Sequence, residues 1–388
     1  MANKPLSQPL AIYVHWPFCL SKCPYCDFNS HVRDKIDIER WRYGLVTELQ
    51  YYAEQTKDRI VSSVFFGGGT PSLMPPDLVE NIIYTVDEHW GLSPDCEITL
   101  EANPTSSEVS NFKALTRSGV NRLSIGVQAL NTRDLNFLGR EHSEKEALIA
   151  VEAAQKTIAR VSLDLIYGRP GQTLPNWMLE LNRALSTGVK HISLYQLTIE
   201  KGTPFFAAHR DGNFFLPDEE LAAALYLATN ELCEQKGLPA YEISNHAQPG
   251  EESRHNLVYW KSGDYVGVGP GAHGRLTLGG QYFATEQISG PENWLKAVNS
   301  QGHGTRSKRI IPVREKIEEV LMMGLRLTGG ISRMDFLSAS GQNLEATLSE
   351  ISLAPLIKRG FLEFDQVGLR TTPSGRLRLN AILGTLLT

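Results

Sequence analysis

Six short runs of apolar and β-branched residues recur along the first half of the chain, and stretches with helical spacing separate them. The runs lie at 11–15, 60–66, 97–100, 122–127, 161–167 and 191–197. Their apolar residues are nearly continuous, which is typical of strands covered by helices on one face. Regular alternation of strand and helix favours parallel βα units. The pattern therefore predicts an α/β fold in which the other face of the strands lines a barrel.

The second half of the chain has a different pattern. A polar, proline-containing segment precedes a predicted helix at 218–236. Helical periodicity at 315–327 is then followed by two further helical stretches, a predicted hairpin and a final helix. This order is typical of a winged-helix-like α+β domain. We predict three regions, at 1–210, 211–307 and 308–388.

Composition and charge narrow the class of protein. The chain of 388 residues has 41% hydrophobic residues and a net charge of −5, as an ordinary globular protein has. Five cysteines and no recognisable signal peptide predict a reduced, cytoplasmic protein. No apolar run approaches the roughly 18 residues of a transmembrane helix, so membrane contact is expected only peripherally or through a partner. The acidic balance disfavours a nucleic-acid partner.

Cys19, Cys23 and Cys26 form a C-x3-C-x2-C triplet directly after the first apolar run. Three thiolates on one loop suit an iron–sulfur cluster better than zinc, which normally takes four protein ligands. A [4Fe-4S] cube held at three corners leaves one iron free for S-adenosylmethionine (SAM), whose reductive cleavage gives a 5′-deoxyadenosyl radical. A zinc site completed by a distant histidine is the alternative. Cys96 and Cys233 are expected to be small buried side chains.

A family resemblance rests on this segment. Residues 12–31 have the sequence IYVHWPFCLSKCPYCDFNSH. The segment resembles the start of radical-SAM proteins related to oxygen-independent coproporphyrinogen III oxidase, and the resemblance continues from about Leu10 into the C-terminal domain. The oxidase has a fourth cysteine where this chain has Phe28, and the Cys-Asp-Phe-Asn-Ser stretch resembles the heme chaperones of the HemW group. The family fold is a partial (β/α)6 barrel, which matches the six predicted strands.

Several polar residues are expected where the barrel strands end, because chemistry gathers at that rim. The Gly67-Gly-Gly-Thr70 run allows close backbone approach to a ligand, and it lacks the lysine of a P-loop. Glu101 ends the third strand, where it could accept hydrogen bonds from a ligand or cap a helix, although Asn103 is the better capping candidate. Asp164 lies among apolar neighbours, where an unpaired carboxylate is costly.

The resemblance assigns roles to individual residues. It implies that the three cysteines of the triplet ligate the cluster. The SAM contacts that it implies, together with the positions favoured by their place at the rim, are Tyr13, Tyr25, Gly68, Gly69, Thr70, Glu101, Gln128, Arg140, Asp164, Ala272 and His273. Tyr13 and His15 alternate with apolar residues, so both should point to one face of the first strand. His15 is equally compatible with a structural role.

A His-Asn-x-x-Tyr-Trp element at 255–260 resembles one that is characteristic of the HemW group. Its imidazole could ligate heme iron, and its aromatic rings could stack on a porphyrin. We therefore expect His255, Tyr259 and Trp260 to contact heme, with a structural histidine as the alternative.

Two functions remain open at this stage. One is a heme chaperone that passes heme to acceptor proteins, such as respiratory-chain hemoproteins, which can be membrane-associated. The other is an oxygen-independent coproporphyrinogen III oxidase. Phe28 and the short segment before the first strand favour the chaperone, and whether the radical chemistry turns over a substrate is left open.

Overall fold

A computed structural model of the protein describes residues 9–348 and 350–387. The strands in this part of the chain are β1 (Pro9–Trp16), β2 (Phe18–Cys19), β3 (His31–Val32), β4 (Ile60–Gly68), β5 (Leu92–Ala102), β6 (Arg122–Gln128), β7 (Arg160–Tyr167), β8 (His191–Gln196), β9 (Asn245–Ala247), β10 (Tyr265–Val268), β11 (His273–Leu278), β12 (Gln281–Gln287), β13 (Thr305–Ile310), β14 (Ile331–Ser332), β15 (Leu362–Phe364) and β16 (Gly368–Thr371).

The helices are α1 (Ile38–Gln55), α2 (Pro76–Trp90), α3 (Ser106–Val109), α4 (Phe112–Arg117), α5 (Thr132–Phe137), α6 (Glu144–Thr157), α7 (Leu174–Leu185), α8 (Pro204–Arg210), α9 (Glu219–Gln235), α10 (Arg254–Trp260), α11 (Pro291–Gln301), α12 (Val313–Gly324), α13 (Arg333–Ser340), α14 (Leu344–Thr347), α15 (Glu350–Lys358), α16 (Pro373–Arg376) and α17 (Leu379–Leu386). A 3-10 turn spans Pro71–Leu73. Among the helices described, none is both long and apolar enough to cross a membrane.

The six predicted strands form the centre of one large sheet. β1, β4, β5, β6, β7 and β8 are neighbours in that order, and each pair is parallel. The prediction of a partial barrel of six parallel strands is therefore confirmed. Five of the six strands extend beyond the predicted limits, whereas β8 ends at Gln196, one residue earlier than predicted. β5 starts at Leu92, so Cys96 lies inside this strand rather than at its start.

Further strands extend the sheet at both edges. β10 pairs in parallel with the outer side of β1, and β11, β12 and β13 continue as an antiparallel meander. β9 is antiparallel to β8 at the other edge. Sequence patterning did not predict this extension, because these strands are short and mixed in polarity. It covers the edge of β1, the strand that leads into the cysteine loop.

The core of the barrel lies between the sheet and the helices outside it. Trp16, Trp177 and Trp294 are fully buried there, and Trp41 of α1 stacks on Trp294 of α11 at 5.4 Å. Helix starts are well capped where they connect strands: at α6, the Ser143 hydroxyl accepts the amide of Glu146, whose side chain accepts in return. Rigid packing of this kind fixes the strand ends on which the site is built.

The C-terminal domain has its own core. Its three short strands form an antiparallel sheet in the order β14-β16-β15, and Phe336 and Leu369 are fully buried among the helices of the domain. This confirms the winged-helix-like α+β domain after the barrel. A bridge between Glu242 and Leu327 joins the two parts. The limits of the three regions, at 210 and 307, stay a prediction.

Candidate active site at the barrel rim

The carboxyl-terminal ends of the parallel strands open into one large cavity, here called the rim cavity. Its volume is about 1360 Å³, and the three cysteines of the triplet line it. Seven of the eleven predicted cofactor contacts also line it, namely Tyr25, Gly69, Thr70, Glu101, Gln128, Arg140 and Asp164. Residues far apart in sequence thus face one space.

The cysteine loop is held at its base by a small parallel pairing, in which Cys19 of β2 lies opposite Val32 of β3. Within the loop, the Cys26 amide donates to the Cys23 carbonyl at 3.1 Å. Burial raises the pKa of the Cys19 and Cys26 thiols, so metal binding must displace their protons. Across residues 9–348 and 350–387, no three His, Cys, Asp or Glu side chains converge to hold a metal ion.

The glycine segment after β4 packs tightly against the start of the cysteine loop. The Gly69 amide donates to the Trp16 carbonyl at 2.7 Å, and the Thr70 amide donates to the Phe18 carbonyl at 2.8 Å. A Cβ atom on Gly69 would lie 2.6 Å from the Phe18 carbonyl oxygen, and Gly68 has a φ of +113°. Both amides therefore already donate to backbone carbonyls of the protein and are not available to a ligand. The segment therefore offers carbonyl oxygens, which can accept hydrogen bonds from an ammonium group.

Two carboxylates lie close together in the barrel interior. Glu101 accepts one backbone hydrogen bond, from Gly68 at 3.3 Å, and burial together with the nearby Asp164 raises its pKa to about 8. Burial also raises the pKa of Asp164, although hydroxyl donors such as Ser124, at 2.8 Å, oppose the shift. Neither carboxylate has a basic partner within ion-pair distance among the described residues. This arrangement suits a cationic ligand, which would stabilise both charges.

Arg140 reaches the cysteine loop from the opposite side of the rim cavity. Its guanidinium donates to the Cys23 sulfur at 3.5 Å, to the Asn103 side-chain oxygen at 2.5 Å and to the Gly126 carbonyl at 2.9 Å. The Nε atom is buried and has no partner within the described part of the chain. A buried donor without a partner is costly, so Arg140 has capacity for an acceptor such as a ligand carboxylate.

The other four predicted contacts are not on the cavity wall. Tyr13 and His15 share one face of β1, as predicted: the Tyr13 hydroxyl donates to His15 Nδ1 at 3.0 Å, and Nε2 donates to the Asn29 carbonyl at 2.9 Å. Ala272 is buried, and His273 is exposed at the start of β11. Contact of Tyr13, Gly68, Ala272 and His273 with a cofactor stays a prediction.

The His-Asn-x-x-Tyr-Trp element forms most of α10. His255 is 1% exposed, and its ring nitrogens hydrogen-bond with the Ser63 hydroxyl at 2.9 Å and the Tyr259 hydroxyl at 2.7 Å. Burial lowers its pKa to about 3. In this arrangement neither nitrogen is open to iron, so the predicted heme ligation would require both bonds to break. The residue of the element that does line the rim cavity is Asn256.

Trp260, the last residue of the element, also lies off the cavity wall. The Arg326 guanidinium stacks over its ring at 5.6 Å. Heme contact by Tyr259 and Trp260 stays a prediction.

Sequence reasoning missed the residues that support the site. Asn103 does not cap a helix, because the N-cap of α3 is Thr105; instead Asn103 joins Arg140 to the buried Glu108, which accepts the Asn103 amide at 2.7 Å. The polar Leu100–Pro104 turn was the only signal for it. Arg376, on the far side of the same cavity, had no sequence signal, because only domain docking brings it there.

Comparison with known proteins agrees with this geometry. A model of the radical SAM superfamily matches residues 13–180, and a model of the HemN C-terminal domain matches residues 311–378. The solved structure of coproporphyrinogen III oxidase HemN from Escherichia coli superposes with a TM-score of 0.81 at 23% identity, covering 100% of this chain and 92% of that one. At this identity the match shows the fold alone. Fold and site together define a radical-SAM protein with a HemN-type C-terminal domain.

Two full-length relatives define the family within that class. The chain is 34% identical to the heme chaperone HemW of Escherichia coli, over 97% of both chains. It is 41% identical to the mitochondrial radical S-adenosyl methionine domain-containing protein 1 of Bos taurus, over 99% of this chain and 88% of the relative. The chain belongs to the family of these proteins.

Membership in the radical-SAM superfamily implies a [4Fe-4S] cluster and SAM, and the residues of the rim cavity fit both. Three thiols are available on one loop without a fourth. SAM carries an ammonium, a sulfonium and a carboxylate. The cavity offers Glu101 and Asp164 for the cations and the unpartnered Nε of Arg140 for the anion.

Proposed function

We propose that this protein is a heme chaperone, which binds heme and delivers it to acceptor proteins. The observation that carries the proposal is the full-length relationship to HemW, whose name describes that activity. The size of the rim cavity supports it. A pocket of about 300–1,000 Å³ suffices for one drug-sized ligand, whereas this cavity measures about 1360 Å³.

In this proposal Cys19, Cys23 and Cys26 hold the cluster, which when bound supplies one electron to SAM. The residues around it bind and orient SAM. Glu101 and Asp164 lie where they can accept hydrogen bonds from its amino acid and ribose groups, and Arg140 can bind its carboxylate. Gly69 and Thr70 offer backbone acceptors, and Gln128 has a side-chain amide, held by a backbone with φ of +67°, for polar groups of the nucleoside.

The acceptors of heme are proposed to be heme-containing proteins, including membrane-associated ones of the respiratory chain, which the protein would meet in the cytoplasm or at the membrane surface. Peripheral contact is compatible with the apolar side chains at the cysteine loop, since Leu20 and Phe28 are 59% and 56% exposed. No role in nucleic-acid binding is proposed.

One anaerobic experiment tests the proposal. The cluster is reconstituted, and the protein is offered heme in one arm and coproporphyrinogen III with SAM and a reductant in the other. We expect a stoichiometric Soret spectrum of bound heme in the first arm. In the second arm we expect no protoporphyrinogen IX.

Turnover of coproporphyrinogen III would instead identify an oxidase, the activity named for the structural relative HemN. Failure of the protein to bind heme would also contradict the proposal. If heme is bound, its transfer is measured with an apo-hemoprotein, whose own Soret band reports delivery.

A further inference from the structure

The end of the rim cavity that lies away from the cysteine loop is formed partly by residues outside the barrel. Besides the strand ends, its wall includes α9 of the intermediate region and residues 376–381 of the C-terminal domain. The cysteine loop and SAM contacts belong to the barrel. The C-terminal domain therefore closes the cavity at a place where no cofactor contact is predicted.

Three arginines of this domain line the cavity, namely Arg326, Arg376 and Arg378. The C-terminal domain contains other arginines that form ion pairs, such as Arg333 with Glu345 and Arg370 with Asp365. Among the residues that the structure describes, no carboxylate lies within ion-pair distance of the three cavity arginines.

Aromatic rings hold two of these arginines in place, and the charge of Arg326 also acts on the buried Glu242, where it opposes the rise of the carboxyl pKa. The Arg326 guanidinium stacks over Trp260 at 5.6 Å, and that of Arg378 stacks over Phe361 at 5.1 Å. Arg376 lies beside the buried hydroxyl of Tyr226. Burial raises the pKa of this hydroxyl, and the positive charge of Arg376 opposes the rise. The Asn230 side chain interacts with the same hydroxyl and also acts to lower its pKa. Three guanidinium groups on one wall of a cavity, none of them in an ion pair among the described residues, point to an anionic ligand.

The walls between the two ends are largely apolar. Ile166, Leu197, Ala223, Ile243 and Leu379 contribute to them, and Tyr195 leaves 44% of its surface open. Glu219 also lines the cavity, seven residues before Tyr226 on α9, and is exposed to solvent. An apolar space that ends in unpaired arginines matches a flat apolar ring with carboxylates along one edge.

We propose that Arg326, Arg376 and Arg378 bind the propionate carboxylates of the tetrapyrrole, so that the C-terminal domain is a recognition element of the heme site. This inference rests on the proposed function and deepens it. It places the ring in the cavity between the SAM contacts and the C-terminal domain. Guanidinium groups bind carboxylates through paired hydrogen bonds, which gives them geometric selectivity as well as charge.

The test compares heme with its dimethyl ester, which keeps the ring and iron but has no carboxylates. Both are titrated into the reconstituted wild-type protein and into an Arg376→Gln/Arg378→Gln double variant, with the Soret band as readout. We expect wild type to prefer heme by about 10-fold or more, which is the scale of a charge-assisted pair. The double variant should bind heme about 10-fold more weakly and the ester with unchanged affinity. A third variant, Arg326→Gln, is expected to lose part of the same preference.

Arg359→Gln is the matched control, because Arg359 is an exposed arginine of the same domain that does not line the cavity. It should behave as wild type with both ligands. Equal weakening of heme and ester in the double variant, or no weakening of either, would overturn the inference. If wild type bound neither ligand, the proposed chaperone function itself would fail. Cluster content of each variant shows that the barrel remains intact.

Discussion

Glu97 and Glu101 lie four residues apart on β5, so their side chains are on the same face of the strand. The environments of the two carboxylates nevertheless shift their pKa values in opposite directions. Glu97 accepts hydrogen bonds from Arg122 at 3.2 Å, from Arg160 at 2.7 Å and from the His255 amide at 3.0 Å. Burial acts to raise its pKa, but these partners prevail and the pKa is lowered. Glu101 has one backbone donor, and its pKa rises to about 8.

This difference distinguishes buried polar residues that stabilise the fold from those that can bind a ligand. In the lower part of the barrel, polar side chains satisfy one another, and Glu97 and His255 are fully engaged there. At the rim, Glu101 and Arg140 retain unsatisfied capacity that faces a cavity. A buried polar group without a partner is costly to the folded state, so its persistence is a sign of a ligand. The same residue types therefore serve either role, depending on which neighbours the fold provides.

The largest expected effect contrasts the cysteines of the rim with those of the core. Changing Cys19, Cys23 or Cys26 to serine should abolish the cluster, measured as iron and sulfide per chain after anaerobic reconstitution, because three corners are needed to hold it. Cys96→Ala and Cys233→Ala are the controls, since both residues are buried away from the cavity. Full cluster content in any triplet variant would refute the assignment.

The second prediction concerns the two carboxylates. Glu97→Gln leaves the buried Arg122 without its anion and leaves Arg160 paired only with Glu251. It should lower the free energy of unfolding by about 3–5 kcal/mol, measured by urea denaturation. The counterpart, Glu101→Gln, removes a poorly compensated carboxylate and should not lower the free energy of unfolding. It should weaken SAM binding about 10-fold, the scale of one charge-assisted hydrogen bond. If the two variants lost equal stability, the contrast drawn here would be wrong.

His255→Ala tests whether the imidazole stabilises the fold or binds heme. It leaves the hydroxyls of Ser63 and Tyr259 without a partner, so we expect a loss of about 1–3 kcal/mol in the free energy of unfolding. Cluster content and the Soret spectrum of bound heme should stay those of wild type. A changed Soret band with normal stability would instead support axial ligation of heme by His255.

The last prediction concerns how the stability depends on pH. The pKa of Glu101 is raised from 4.5 to about 8 in the folded protein. The folded state therefore binds the extra proton between these values, and the contribution of Glu101 to stability is present below pH 4.5 and lost as pH rises through 8. The wild-type free energy of unfolding, relative to Glu101→Gln, should fall across that interval. Glu97 has a lowered pKa and should act in the opposite direction, losing its contribution as pH falls.

Much of the site was predictable because its signals are local. The triplet fixes three thiols within eight residues, and the strand ends at Glu101 and Asp164 are visible as polar residues after apolar runs. The roles of Asn103 and Glu108 were not predictable, because a turn residue that caps a helix and one that supports an arginine look alike in sequence. His255 shows the same difficulty: its motif is evident, but its partner Ser63, on a distant strand, is identified only by packing.

The sequence by itself determined the barrel strands, the cluster loop and the winged-helix pattern, since periodicity and ligand spacing are short-range properties of the chain. Only the tertiary structure decided that Glu97 is neutralised by Arg122 and Arg160 while Glu101 is not, and that arginines 326, 376 and 378 reach the same cavity as the cysteines. The physical reason is that the cost of a buried charge depends on its neighbours in space. Those neighbours come from strands and domains far apart in the sequence.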